Sequence, residues 1–85
     1  MTLAEQFQDA QQRVQGLGAR PANDTLLELY GLYKQATVGD VQGKRPGLLD
    51  LKGRAKFDAW TARKGMEREE AMQKYVERVN RLVGR

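Results

Sequence analysis

The chain has 85 residues, a formal net charge of +4 and 40% hydrophobic residues, which is enough for one small domain. It contains no cysteine, histidine or serine, which excludes disulfides and histidine-based nucleophile triads and leaves a structural zinc site without its usual ligands. No segment approaches the ~20 apolar residues of a membrane span, and the N-terminus lacks a signal-peptide pattern, so we expect a cytoplasmic protein that holds no metal or cofactor.

The positive charge is concentrated in the middle of the chain. Residues 34–64 carry eight basic side chains against three acidic ones, a net +5, whereas the remainder carries seven basic and eight acidic ones. Such focusing favours an anionic partner. A solvated surface that happens to be basic is the alternative explanation.

Helical spacing of apolar residues predicts the first two helices. The first is expected over residues 3–15, where Thr2 and Glu5 have the spacing of a capping box. The second is expected over residues 23–37, with Asn23 or Asp24 as its N-terminal cap. A loop rich in glycine and proline follows.

Two further helices are predicted in the second half. One covers residues 50–62 with Asp50 as its cap. The other covers residues 67–83, with acidic residues near its start and arginines near its end, as the helix dipole favours. No alternating polar and apolar run indicates a strand, so the chain is predicted to be an all-α single domain of four helices.

One group of side chains suggests a binding site. It comprises Tyr30, Tyr33 and Lys34 on the second helix with Lys52 and Lys56 on the third. If the two helices are neighbours, the phenols and ammonium groups suit a ligand with an aromatic base and several phosphates. The alternative is that the tyrosines are core residues and the lysines a solvated face. No glycine pattern matches a phosphate loop, and the carboxylates form no catalytic pair.

Five segments resemble the signature of the acyl-CoA-binding protein family. They are Tyr30–Asp40 (YGLYKQATVGD), Arg45–Gly47 (RPG), Asp50–Trp60 (DLKGRAKFDAW), Lys64–Gly65 and Ala71–Val76 (AMQKYV). The resemblance extends over residues 3–83. It implies a four-helix up-down-down-up bundle with a site for the CoA head group and an apolar groove for the acyl chain.

The resemblance also implies roles for individual residues. For the head group it implies Tyr30, Tyr33, Lys34, Lys52, Lys56 and Tyr75. For the acyl groove it implies Ala10, Leu26, Leu27, Leu51 and Ala55. We expect Tyr30, Tyr33, Lys34 and Lys56 to face one shared pocket.

One position departs from the family pattern. Members often carry a lysine late in the first helix that helps to hold the CoA phosphates, and Gln15 stands there. Its amide can still donate a hydrogen bond, but the positive charge is missing. Arg13 lies about 200° away round a helix, whereas Arg20 could contribute from the following loop. We therefore expect the same ligand class and a lower affinity.

The resulting functional hypothesis is a carrier rather than an enzyme. The chain is expected to bind medium- to long-chain fatty acyl-CoA esters with high affinity and to act as an intracellular carrier and pool former. Acyl-CoA-using enzymes are possible partners, and a monomer with no nucleic-acid partner and no stable membrane insertion is expected. The alternatives are a small basic helical nucleic-acid binder and an acyl-CoA-dependent enzyme, which would lack His, Cys and Ser for its chemistry.

Overall fold

The computed structural model describes residues 1–84, and this part of the chain is entirely helical and loop structure without a strand. Its four helices are α1 (Leu3–Gln15), α2 (Asn23–Thr37), α3 (Leu51–Thr61) and α4 (Arg68–Leu82). They form the up-down-down-up bundle, which confirms the all-α prediction.

Two of the predicted helix starts are confirmed by their hydrogen bonds. The Glu5 N–H donates to Thr2 Oγ1 at 3.1 Å, and the Thr2 N–H donates to Glu5 Oε1 at 2.9 Å. The Gly53 N–H donates to Asp50 Oδ1 at 2.9 Å. Both caps are encoded within four residues of sequence, so the pattern alone identifies them.

The predicted cap of α2 was wrong. Asn23 is already the first helical residue, and the cap position is Ala22, which offers no side-chain hydrogen bond. The Asn23 Oδ1 instead accepts a hydrogen bond from Arg20 Nη1 at 3.0 Å. The predicted ranges of α3 and α4 were each one residue too long at both ends, because the flanking residues are caps rather than helical positions.

The hydrophobic core lies where α4 packs against both α1 and α2. Its buried members are Phe7, Ala10, Leu29, Leu32, Ala36, Ala71, Tyr75, Val76 and Val79. The ring of Phe7 meets that of Tyr75 edge-on, with centroids 5.0 Å apart and planes at 76°, which is a favourable aromatic geometry. This core packs α1, α2 and α4 together. The three tyrosines lie on two of these helices, Tyr30 and Tyr33 on α2 and Tyr75 on α4.

The remaining helix, α3, packs on α2 at Gly31. A Cβ atom on Gly31 would overlap the carbonyl group of Ala59 and lie only 2.8 Å from its carbon. The missing side chain therefore lets the two backbones approach closely, which explains a helix-breaking residue in the middle of α2. This close approach brings Lys56 of α3 beside Tyr30 of α2.

A polar network joins the end of α2 to the turn before α4. The Gln35 amide nitrogen donates to Asp40 Oδ1 at 2.9 Å and to the Met66 carbonyl at 2.7 Å. The Gly65 N–H donates to the same Asp40 oxygen at 2.8 Å. The Gly65 hydrogen bond, aided by that of Gln35, holds the pKa of the Asp40 carboxyl below its ordinary value. The network thus ties the loop after α2 to the turn before α4.

Candidate ligand-binding site

Two adjoining cavities open beside α2. The first has a volume of about 310 Å³, is called the aromatic cavity below, and is lined by Val14, Gln15, Leu26, Leu29, Tyr30, Tyr33 and Tyr75. The second has a volume of about 400 Å³, is called the basic cavity, and is lined by Arg20, Asn23, Leu26, Leu27, Tyr30, Leu51, Lys52, Ala55 and Lys56. Leu26 and Tyr30 line both, so they form the wall between the cavities. Both volumes are at the lower end of those found for small-molecule sites.

The aromatic cavity is built on the core. Phe7 stacks beneath Tyr33 with centroids 6.0 Å apart and planes at 25°, and the same ring supports Tyr75. Tyr33 remains 38% exposed, so one part of its ring is available to a ligand. Burial, and secondly the neighbouring Tyr33, raises the pKa of the Tyr75 phenol. Tyr75 therefore stays neutral at physiological pH and keeps its hydroxyl proton for donation.

The basic cavity combines cations with an apolar lining. Lys52 and Lys56 both line it, as their four-residue spacing on one helix face predicts. The Lys56 Nζ lies 5.4 Å from the centroid of the Tyr30 ring, within the range of a cation–π contact. Arg20 lines the same cavity. Three positive side chains thus surround a space that is lined elsewhere by three leucines, an alanine, Tyr30 and Asn23.

The sequence predicted that Tyr30, Tyr33, Lys34 and Lys56 face one shared pocket, and the structure does not bring the four into a single cavity. Tyr30 lines both cavities, Tyr33 lines the aromatic cavity and Lys56 lines the basic one, but Lys34 lines neither. The Lys34 Nζ lies 4.8 Å from the centroid of the Trp60 ring on α3. The attraction of the ammonium group to the indole face directs this side chain across to α3.

Of the five residues expected in the acyl groove, four line a cavity and one does not. Leu26, Leu27, Leu51 and Ala55 all line the basic cavity. Ala10 lines neither cavity and has no exposed surface. Its position in the core cluster, against α4, makes it a packing residue, which corrects the expectation for this position.

Three lining residues were not singled out from the sequence. Val14 and Leu29 belong to helix faces that the sequence marks only as core, and Asn23 was interpreted as a cap. The signal for Leu29 was its three-residue spacing from Leu26 on α2, whereas the sequence offered no signal for Val14 beyond its place on the apolar face of α1. Neither signal distinguishes a cavity wall from a buried core position.

The position that lacks the family's lysine faces the aromatic cavity. Gln15 is exposed and lines that cavity without a cationic neighbour in its wall. Arg13 cannot take over, because its guanidinium is bound to Asp9 at 2.7 Å and to Asn80 at 2.8 Å. Arg20 lies in the basic cavity. The charge missing at Gln15 is therefore not restored at that point.

The part of the chain that the structure describes offers neither a metal site nor a membrane span. Within residues 1–84, no group of three or more Asp, Glu, His or Cys side chains could hold a metal ion. None of the four helices described is long and apolar enough to cross a membrane. The cavities are thus the principal candidate site, and their chemistry is that of phenols, cations and apolar walls.

Comparison with known proteins places this architecture in a family. The profile described as acyl CoA binding protein matches residues 4–79. An acyl-CoA-binding protein homolog of Manduca sexta is 49% identical over 84 residues, which cover 98% of this chain and 93% of the relative. An acyl-CoA-binding protein of Brassica napus is 49% identical over 83 residues, which cover 98% of this chain and 90% of the relative.

The fold comparison agrees with the sequence comparison. The crystal structure of Oryza sativa acyl-CoA-binding protein 2 matches with a TM-score of 0.92 at 45% identity, covering 96% of this chain and 89% of the other. The profile, the relatives and the solved structure are all described as acyl-CoA-binding proteins. The chain belongs to the acyl-CoA-binding protein family.

Proposed function

We propose that residues 1–85 form a single acyl-CoA-binding domain that binds medium- to long-chain fatty acyl-CoA esters with high affinity. The observation that carries this proposal is the pair of cavities divided by Tyr30 and Leu26, one with aromatic walls and one with cations above an apolar lining. An acyl-CoA ester has the matching parts, namely an aromatic base, several phosphates and a long hydrocarbon chain.

Each part of the ligand has a proposed place. The base stacks against Tyr33 and Tyr30, where Tyr75 and Gln15 supply hydrogen-bond donors. The phosphates bind Lys56 and Lys52, and Lys34 reaches them from the next turn of α2 after leaving Trp60. The acyl chain lies against Leu26, Leu27, Leu51 and Ala55. The assignments other than that of Lys34 rest on which side chains line which cavity, and that of Lys34 rests on the family resemblance.

The binding energy is proposed to come mainly from the hydrocarbon chain. Each methylene that leaves water contributes up to ~0.8 kcal/mol, so a long chain outweighs the fixed contribution of the phosphates. Free CoA, which lacks the chain, is then a much weaker ligand. A preference of this kind suits a protein that collects acyl esters and leaves free CoA in solution.

The proposed role is an intracellular, cytoplasmic and monomeric carrier that keeps a pool of acyl-CoA available to the enzymes that use it. The protein is proposed not to be an enzyme. The chain has no His, Cys or Ser that could attack a thioester. Sequestration requires only binding and release.

A nucleic-acid binder remains the competing hypothesis, since it shares the need for positive charge. Its cations would be expected on a convex helix that enters a groove. Here Lys52, Lys56 and Arg20 instead border a cavity whose other walls are leucines, an alanine, a tyrosine and an asparagine. This concave arrangement favours a small ligand.

Calorimetric titration of the pure protein with palmitoyl-CoA, free CoA and duplex DNA tests the proposal. We expect one palmitoyl-CoA per chain, weaker binding of free CoA and little binding of DNA. Binding of DNA in preference to palmitoyl-CoA would contradict the proposal and favour the competing one.

A further inference from the structure

We propose that Leu48, Leu49 and Leu51 form a shallow anchor by which the protein docks reversibly on an anionic lipid surface. These three leucines are 78%, 99% and 76% exposed, respectively. They occupy consecutive or nearly consecutive positions at the end of the loop and the start of α3. The anchor is defined below as these three side chains.

The exposure of the anchor is built into an ordered turn. The Asp50 N–H donates to the Gly47 carbonyl at 3.0 Å and closes the turn that carries Leu48 and Leu49. Asp50 then caps α3. Leu48 and Leu49 are thus held outward between two hydrogen-bonded features. Adjacent apolar side chains that are fixed in water indicate an interaction surface.

The charge around the anchor selects the kind of partner. Lys44 and Lys52 flank the leucines in the sequence, and among residues 1–84 neither forms an ion pair. Of the nearby acids, Asp58 is paired with Arg45 at 2.9 and 2.7 Å, whereas Asp50 accepts the Gly53 N–H and keeps its negative charge. Lys44 and Lys52 together outweigh that single charge, so the surroundings of the leucines stay net positive. Apolar side chains bordered by unpaired cations match the surface of a bilayer that contains acidic lipids.

The anchor adjoins the basic cavity. Leu51 is both a member of the anchor and a wall of the basic cavity. A molecule docked through the anchor therefore holds that cavity next to the lipid surface. Amphiphilic acyl esters partition into bilayers, so the docked state would load or unload cargo without its passage through water. This last step rests on the proposed function, whereas the docking itself does not.

Sedimentation with lipid vesicles, in the absence of any acyl-CoA, tests the docking. The parent protein is expected to sediment with vesicles of phosphatidylcholine and roughly one third phosphatidylglycerol, and much less with phosphatidylcholine alone. The double variant L48S/L49S is expected to bind the anionic vesicles about tenfold more weakly. The variant L48M/L49M keeps apolar side chains of similar size and is expected to bind like the parent.

Absence of parent binding to the anionic vesicles would overturn the proposal, and so would equal binding by L48S/L49S. Thermal unfolding of both variants checks that the fold is intact. Palmitoyl-CoA titration in solution gives the second decision. Leu48 and Leu49 line neither cavity, so L48S/L49S should keep the parent affinity. A large loss would show that these leucines cover the bound acyl chain instead, and would overturn the anchor.

The same experiments separate this proposal from the carrier function. Failure of the parent to bind palmitoyl-CoA in solution would contradict the carrier function and leave the vesicle result unaffected. Parent dimers that L48S/L49S converts to monomers would assign the leucines to a protein interface and overturn the anchor.

Discussion

The ammonium group of Lys56 lies 5.4 Å from the centroid of the Tyr30 ring, and that ring is part of the wall between the two cavities. The contact joins α3 to α2 at the boundary between the aromatic and the basic cavity. It holds a cation at the point where the base of a bound acyl-CoA would give way to its phosphates. Lys56 is therefore positioned before the ligand arrives.

Removal of either signature lysine should weaken binding. We expect Lys56→Ala and Lys34→Ala each to lower the affinity for palmitoyl-CoA by about 1–3 kcal/mol, the scale of a hydrogen bond to a charged group. Lys34→Ala has the additional effect of removing the contact with Trp60. Isothermal titration calorimetry of each variant measures the loss.

Lys74→Ala provides the matched control for both variants. Lys74 is exposed on α4 and lines neither cavity, so its removal changes the net charge equally without touching the site. Its affinity should equal that of the parent. If the Lys34 and Lys56 variants bind no worse than the control, the phosphates bind elsewhere.

Introduction of the family's lysine at position 15 should strengthen binding modestly. Gln15→Lys places a positive charge on the wall of the aromatic cavity, where no cation stands now. A partly exposed pair between this lysine and a phosphate of the ligand contributes roughly 0.2–1 kcal/mol, so we expect the affinity for palmitoyl-CoA to rise by several fold at most. The gain should shrink as salt rises, because exposed pairs are screened.

Titrations of parent and Gln15→Lys with palmitoyl-CoA at low and high salt decide this point. The variant Arg20→Gln, measured beside them, shows whether the arginine in the basic cavity already supplies the missing charge. If Gln15→Lys leaves the affinity at low salt unchanged and Arg20→Gln binds more weakly than the parent, then Arg20 rather than position 15 contacts the phosphates.

A side chain at Gly31 should destabilise the fold. Gly31→Ala gains up to ~1 kcal/mol of helix propensity, but its methyl group would collide with the Ala59 carbonyl. Overpacking of this kind costs about 1–3 kcal/mol, so after the gain in propensity we expect a net loss of up to about 2 kcal/mol in the free energy of unfolding by urea. Gly18→Ala is the control, because no atom lies within 4 Å of the added Cβ and its stability should hardly change. Equal stabilities of the two variants would disprove the close approach.

The Asp40 carboxylate should make stability depend on acid pH. Its folded-state pKa lies below the ordinary value of 3.8, so its contribution is complete above about pH 4 and is lost as the pH falls through the folded pKa. Asp40→Asn should therefore flatten the decline in urea stability below pH 4. The slope should not vanish, because hydrogen bonds also lower the pKa of Glu5 and Asp58. A slope identical to that of the parent would contradict the network.

Sequence patterns predicted the local features of this protein well. The capping box of Thr2 with Glu5 and the Asp50 cap each depend on residues three positions apart, so the pattern contains the whole interaction. The shared face of Lys52 and Lys56 follows in the same way from helix geometry. The resemblance to a family supplied the order of the four helices.

Features that depend on contacts between helices were missed. The two cavities depend on which helices meet, because α1, α2 and α4 line the aromatic cavity whereas α2 and α3 line most of the basic one. The path of Lys34 is set by Trp60, which is 26 positions away. The burial of Gln35 requires Met66 and Asp40 as partners, and nothing in its neighbourhood in the sequence indicates a buried amide. Ala10 likewise was expected in the groove, because its burial in the core depends on packing against other helices and is not visible in the sequence.

The dependence of affinity on acyl chain length tests the central claim most directly. Calorimetry with free CoA, octanoyl-CoA and palmitoyl-CoA measures it on a single protein preparation. If the chain lies against the leucines of the basic cavity, affinity should rise steeply through the series, by no more than ~0.8 kcal/mol for each methylene buried. Equal affinity for free CoA and palmitoyl-CoA would mean that the acyl chain stays in water, and it would contradict the carrier function.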